Sequence, residues 1–279
     1  MNNSQLFPLK RYPLVAYFIL AYAVSWAFEI PLALSAQGIL KAPIPFWIHY
    51  LASFGPLAAA LIVTAGLEGR AGIVRLFSGL WKWRVGLGYI VFSVFSPILV
   101  FLIGSILIRY AQGQWPDFGS LGKVDYLPYL GVAGAVILWL LTYGFGEEVG
   151  WRGFALPRLQ KSRSALSASL ILGFFWGLWH LPAFFYKPTY MAMGLLAGIP
   201  MLLISVAAAS IIFTWLYNST QGSLLMVVLF HAFYDLLLLT EASNGITANL
   251  LNAIPMIWAV LVVIIYKPAN LSRSERQML

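Results

Sequence analysis

The 279-residue chain has no cysteine, which excludes disulfides, thiolate metal ligands and cysteine nucleophiles together. It is also poor in charge. Asp, Glu, Lys and Arg make up 9% of its residues against 61% hydrophobic ones, where a soluble domain carries about 25% charged residues. A soluble globular protein is thereby set aside, and a polytopic membrane protein remains. The sequence has no G-x-S-x-G elbow and no H-E-x-x-H pair, so serine-hydrolase and zincin arrangements are missing. Serines within the apolar runs, such as Ser205 and Ser210, stand without a motif partner. Asp235 is the one Asp placed deep in such a run, and an aspartyl dyad needs two. Nor is there a soluble domain, a low-complexity tract or an internal repeat, and without a repeat an inverted-repeat transporter loses support.

What is present is a series of about eight apolar stretches, near 13–34, 45–66, 87–109, 128–155, 165–186, 191–217, 222–240 and 248–266. Each can supply the roughly 20 residues that cross a ~30 Å hydrocarbon core. They predict an all-α transmembrane bundle forming a single integral membrane domain over 1–279. The fourth stretch is too long for one simple span, and the sixth, with Pro200, could be two pieces. The net charge of +8 follows the topology. Lys10 and Arg11, Arg70 to Arg84, Arg158 to Arg163 and Lys267 to Arg276 place 12 basic residues in alternate connections, against 4 in the others. The positive-inside rule then puts both termini in the cytoplasm, and no nucleic-acid partner is implied. The first apolar run has no small-residue cleavage site and is expected to stay as a signal anchor. Arg70–Arg84 reads as an amphipathic interfacial helix or a basic loop. Trp47, Trp81, Trp83 and Tyr89 read as an aromatic belt.

Three clusters carry nearly all the ionisable groups within the apolar runs: Glu147-Glu148-Val-Gly-Trp151-Arg152, Trp176-Gly-Leu-Trp179-His180, and His231-Ala-Phe-Tyr234-Asp235. Such groups cost a few kcal/mol or more in hydrocarbon and mark function. Glu148 and Arg152, four apart on one helical face, are positioned to pair. Glu147 points about 100° round the helix, beside Gly144 and Trp151, and is free for chemistry. Trp176 can pack on His180 and exclude water, while Pro182 can kink the helix. His231 and Asp235, also four apart, can fix an imidazole tautomer or support an oxyanion. Each pair alone could be a polar contact between helices; three clusters on helices able to meet point to one site. His49 looks interfacial and incidental, and Glu29 has no evident partner.

The surviving chemistry is water activated by Glu147 with His180 and His231 assisting. In one form Glu147, His180 and His231 bind a metal such as Zn²⁺. In the other Glu147 is the general base with His180, while His231 and Asp235 stabilise the oxyanion without metal. The other functional classes are a non-proteolytic immunity or interaction protein on the same scaffold and, more weakly, a proton-relay transporter.

Glu147-Glu148-x-x-x-Arg152, the Trp176-Gly-Leu-Trp-His180-Leu-Pro182 run and His231-x-x-x-Asp235 resemble the successive motifs of the CPBP intramembrane proteases, which include type II CAAX prenyl proteases and Abi proteins. Gly222-Ser223-Leu224, Phe54-Gly55-Pro56 and Arg70–Arg84 are similar too, and the motif-bearing core covers about 128–240. The resemblance implies an eight-helix α fold in a bacterial cytoplasmic membrane, with an intramembrane cavity opening to the cytoplasmic side. It implies hydrolysis of a peptide or membrane-protein substrate, prenylated or not. Glu147 would activate water, Glu148 and Arg152 shape the site, His180 hold the water, and His231 and Asp235 support the oxyanion. Prenyl-protease relatives usually carry Asn where this chain has Asp235. An ionised Asp there would repel an oxyanion unless it is protonated or engaged by His231.

Overall fold

The computed structural model describes residues 10–238 and 246–279. Chains this apolar satisfy their backbone polar groups internally because lipid offers no partners. The described residues accordingly build helices, with one isolated β-bridge, Val124 to Leu127. The principal helices are α1 (Pro13–Ala36), α2 (Gly55–Ser78) and α3 (Leu87–Gln112). They are followed by α4 (Gly131–Gln160), α5 (Ala165–Trp179), α6 (Leu195–Ser219), α7 (Leu224–Leu238) and α8 (Ile246–Tyr266).

Six helical segments among the described residues are long and apolar enough to cross a membrane. The expected seventh and eighth spans are occupied by α7 and α8, although the end of the seventh, 239–240, lies outside the described residues. The sixth stretch is one helix through Pro200, which sits in its second turn and removes a single backbone bond. The break falls earlier, at Gly194 with φ +68°. The Arg70–Arg84 segment is helical as far as Ser78, set off from the span by Gly69 at φ +60°, and closes with a 3₁₀ turn, Gly79–Trp81. Leu76 is buried while Arg70, Val74 and Arg75 are exposed, which is the amphipathic arrangement. Side chains such as Ile19, Phe95, Ile106 and Ile264 remain exposed on outward faces, as lipid-facing positions do.

Helix α1 packs on α2, α5 on α6, α6 on α8, and α7 on α3. Helix α4 runs between α2 and α7. Its interior is uninterrupted by any exposed residue from Val149 to Pro157. Close approach is possible because α4 presents glycines to both neighbours. A Cβ on Gly150 would lie 2.5 Å from the Pro56 carbonyl, and one on Gly146 would lie 2.8 Å from the Ser53 carbonyl oxygen. On the opposite side, a Cβ on Gly144 would meet the Val228 carbonyl oxygen at 2.9 Å. Small residues four apart let transmembrane backbones touch. Near the end of the chain, the Ala269 and Pro268 carbonyls accept from Ala165 and Leu166. They satisfy two of the donors that open α5.

Gly150→Ala is expected to destabilise the fold by about 1–3 kcal/mol, the usual cost of overpacking. Gly88→Ala, where nothing lies within 4 Å of the added atom, should leave it unharmed. Thermal unfolding of the two variants in detergent checks this.

Candidate active site

Helix α4 is not a regular α-helix where the first cluster lies. Residues Leu140–Glu147 and Trp151–Ala155 are π-helical, and Glu148–Gly150 between them is a short α segment. The wider π turn reorients side chains within a continuous helix and is frequent at functional sites. Around it, the end of α5 supplies Trp176 and His180, and α7 supplies His231 and Asp235.

Glu148 and Arg152 form the expected ion pair, Oε1 to Nη1 at 2.8 Å, with neither side chain exposed. The pair is larger than the sequence implied. His231 Nδ1 lies 2.8 Å from the same Glu148 oxygen, and its Nε2 lies 3.4 Å from Asp235 Oδ2. The Arg152 guanidinium carbon also sits 4.5 Å from the ring centres of both Trp176 and Phe213, which adds cation–π attraction in a dry setting.

Glu147 is held differently. Its Oε2 accepts from the indole Nε1 of Trp176 at 2.8 Å and from that of Trp151 at 3.3 Å. The neighbouring carboxylate thus carries the cation, and Glu147 carries two neutral donors. His180 Nδ1 donates to the Trp176 carbonyl at 2.8 Å. In the neutral ring this leaves Nε2 as the nitrogen with the lone pair. Pro182 does not kink α5. The helix ends at Trp179 and Pro182 opens a 3₁₀ turn, Leu181–Phe185, so that His180 stands at the junction. Glu147, His180, His231 and Asp235 line one cavity of about 180 Å³, ample for water, of which one molecule needs about 10–15 Å³ of such space. Glu148 and Arg152 lie beneath it, wholly buried.

Two of the sequence expectations are corrected. His49 is not incidental: it is 9% exposed and lines the same cavity. Its Nε2 lies 2.9 Å from the Tyr143 hydroxyl and its Nδ1 2.5 Å from that of Tyr186. Glu29, expected to lack a partner, is buried and accepts from the Tyr186 hydroxyl at 2.9 Å. The chain Glu29–Tyr186–His49–Tyr143 therefore runs to the cavity wall. Lys187, counted among the basic loop residues, is 6% exposed, lines the cavity and pairs with Asp125 at 3.4 Å. No local pattern could have revealed these partners, which stand 94 to 157 residues apart for the His49 and Glu29 contacts.

The donor set does not gather as a metal site. Both nitrogens of His231 face carboxylates and Glu147 Oε2 takes two indole protons. Among the described residues no three His, Asp or Glu side chains converge in a metal-holding group.

Fold and site together define a polytopic helical membrane protein with an enclosed acid–histidine–arginine centre at mid-helix. Residues 129–237 match the model of the Rce1-like family, type II CAAX prenyl endopeptidase Rce1-like. The chain is 32% identical over 154 residues to the CAAX prenyl protease 2 of Methanococcus maripaludis, an alignment covering 50% of this chain and 54% of that protein. The chain thus spans about half the length of the curated relative it matches.

Breaking a buried ion pair by removing one partner costs about 3–5 kcal/mol. Glu148→Gln is therefore expected to lower thermal stability in detergent by that order. Glu147→Gln, whose amide oxygen can still accept from the two indoles, should cost far less. Parallel melting curves of the two variants decide it.

Proposed function

We propose that the protein is an intramembrane endopeptidase that hydrolyses peptide bonds with a water activated by Glu147. One observation carries the reading. Glu147 is pinned through a single oxygen by two indole N–H groups, leaving Oε1 as the working oxygen at a cavity that it shares with His180. In the proposed reaction, water sits between Glu147 Oε1 and the lone pair of His180 Nε2. Glu147 takes a proton as the water oxygen bonds to the substrate carbonyl carbon. The carbonyl oxygen becomes an oxyanion, which His231 stabilises. Glu147 returns its proton to the leaving amine as the C–N bond breaks, and the products are a carboxylic acid and an amine, which pass one proton between them to leave as carboxylate and ammonium. No covalent enzyme intermediate forms.

Asp235 acts here through His231. Its 3.4 Å contact with Nε2 is longer than an ordinary N–H···O bond of about 2.7–3.2 Å. The Nε2 proton is therefore loosely held and available to an oxyanion. Engagement by His231 is also what keeps the Asp235 charge from opposing that oxyanion. The substrate class is a membrane-embedded peptide, and the name of the M. maripaludis relative supports testing prenylated sequences first. The protein is integral to the membrane with both termini in the cytoplasm, a reading supported by the distribution of basic residues.

The test is cleavage of internally quenched peptides, with and without a farnesylated cysteine, by purified protein. Glu147→Gln is expected to lower kcat at least 10²-fold, the scale of a lost general base, with its melting temperature nearly unchanged. Wild-type turnover by a variant that is otherwise folded would refute the assignment. The metal-free form of the mechanism makes a separate prediction: chelators such as 1,10-phenanthroline leave the rate unchanged and purified active protein carries no stoichiometric metal. Zinc at one equivalent, with activity lost on chelation, would replace that mechanism with the metal-assisted one.

A further inference from the structure

The basic segment Arg70–Arg84 takes no part in the hydrolytic site. Its last residues instead form a separate cleft of about 590 Å³, against about 180 Å³ for the active-site cavity. Trp81, Lys82, Trp83 and Arg84 meet the turn Ser219–Gln221 there. The first group connects α2 to α3 and the second connects α6 to α7. The cleft therefore lies where four helices of the bundle end or begin, at the depth where hydrocarbon gives way to lipid headgroups.

The two halves of the cleft are fastened to each other. Ser223 Oγ donates to the Lys82 carbonyl at 2.6 Å and accepts from the Met226 N–H at 3.3 Å. One hydroxyl thus caps the start of α7 and holds the basic loop. Lys82 Nζ donates to the Gln221 carbonyl at 2.7 Å, which spends one of its three donors. The Arg84 guanidinium carbon sits 4.9 Å from the ring centre of Trp83. No acidic side chain lines the cleft. Nearby Arg75 and Arg158 are different, because both pair with Glu68. Lys82 and Arg84 are thus two exposed cations on a braced loop, with donors to spare for an anion. Trp81 is 81% exposed and Trp83 56% exposed. Indoles left open at helix ends suit the boundary between acyl chains and headgroups. A ligand that meets both features carries a phosphate and an apolar body.

We propose that this cleft binds the headgroup of an anionic glycerophospholipid, with Lys82 and Arg84 on the phosphate oxygens and Trp81 and Trp83 beside the acyl boundary. Basic pockets between transmembrane helices are suited to such headgroups. The bound lipid clamps the α2–α3 loop to the cap of α7, the helix that carries His231 and Asp235, and so stabilises the folded state by mass action. The inference rests neither on the endopeptidase reading nor on which face of the membrane the cleft occupies.

The test is thermal unfolding of the full chain in a neutral detergent with phosphatidylglycerol or phosphatidylcholine of identical acyl chains. Lys82→Gln/Arg84→Gln is compared with Arg109→Gln/Lys123→Gln, which removes the same charge from exposed positions outside the cleft. Phosphatidylglycerol is expected to raise Tm of the wild type and of the second variant by at least ~4 °C more than phosphatidylcholine does. The first variant should lose at least half of that difference. Arg84→Gln alone leaves the Lys82 bonds in place and serves should the double variant fail to fold; it too is expected to lose part of the difference. Equal shifts from the two lipids overturn the proposal. So does a full shift retained in both cleft variants, or an equal loss in Arg109→Gln/Lys123→Gln, which would mark attraction to net charge alone. Inorganic phosphate at the same concentration is expected to leave Tm unchanged, and a shift matching that of phosphatidylglycerol would overturn the assignment to lipid.

Discussion

The rest of the site is arranged around a guanidinium that has been taken wholly out of solvent. Arg152 has no exposure, and neither does the Glu148 carboxylate that faces it at 2.8 Å. Desolvating each ion costs several kcal/mol, and the mutual attraction offsets that cost only when further partners are present. Here His231 contributes to the same carboxylate oxygen, and the rings of Trp176 and Phe213 flank the cation. The partners come from α4, α5, α6 and α7, so the cluster fixes how four helices meet. Among apolar helices in lipid there is little hydrophobic force to set that register, and a buried charge is a strong substitute for it.

Holding the charges so close demands that the backbones approach, and the glycines of α4 permit it. Gly146 and Gly150 lie against the start of α2, and Gly144 lies against α7. The π-helical turns on either side of Glu148 then direct consecutive carboxylates to different surroundings. Glu148 goes into the ion cluster and Glu147 toward the indoles and the cavity. Neighbouring residues of one type thus meet separate surroundings, Glu147 the indoles of Trp151 and Trp176 and Glu148 the Arg152–His231 cluster.

Much of this is legible in the sequence where the signal is local. The eight apolar stretches anticipate the helices to within a few residues at most boundaries, because hydropathy and the demand for internal hydrogen bonding act along the chain. The Glu148–Arg152 contact follows from a spacing of four. The reading fails where contacts cross between helices. Nothing near His49 or Glu29 in sequence announces Tyr143 and Tyr186, and nothing near Glu148 announces His231. The π segments are equally silent, since over eight residues an apolar pattern of period 3.6 cannot be told from a slightly longer one. Pro182 misled for a related reason: it is compatible with the first turn of a new helical piece as readily as with a kink.

The same geometry bears on Asp235, which closes the third cluster. An imidazole that donates from both nitrogens is a cation, and both nitrogens of His231 face carboxylate oxygens. Counted that way, Arg152 balances Glu148 and His231 balances Asp235, so the cluster is neutral without Glu147. An Asn at position 235 would leave a surplus positive charge, which a negatively charged Glu147 would have to match. With Asp235 in place, Glu147 is released from that duty and can gain and lose a proton without leaving an uncompensated charge in the cluster below. Asp235 then belongs to the charge balance of the buried cluster, and in the reaction proposed above that balance leaves Glu147 outside it.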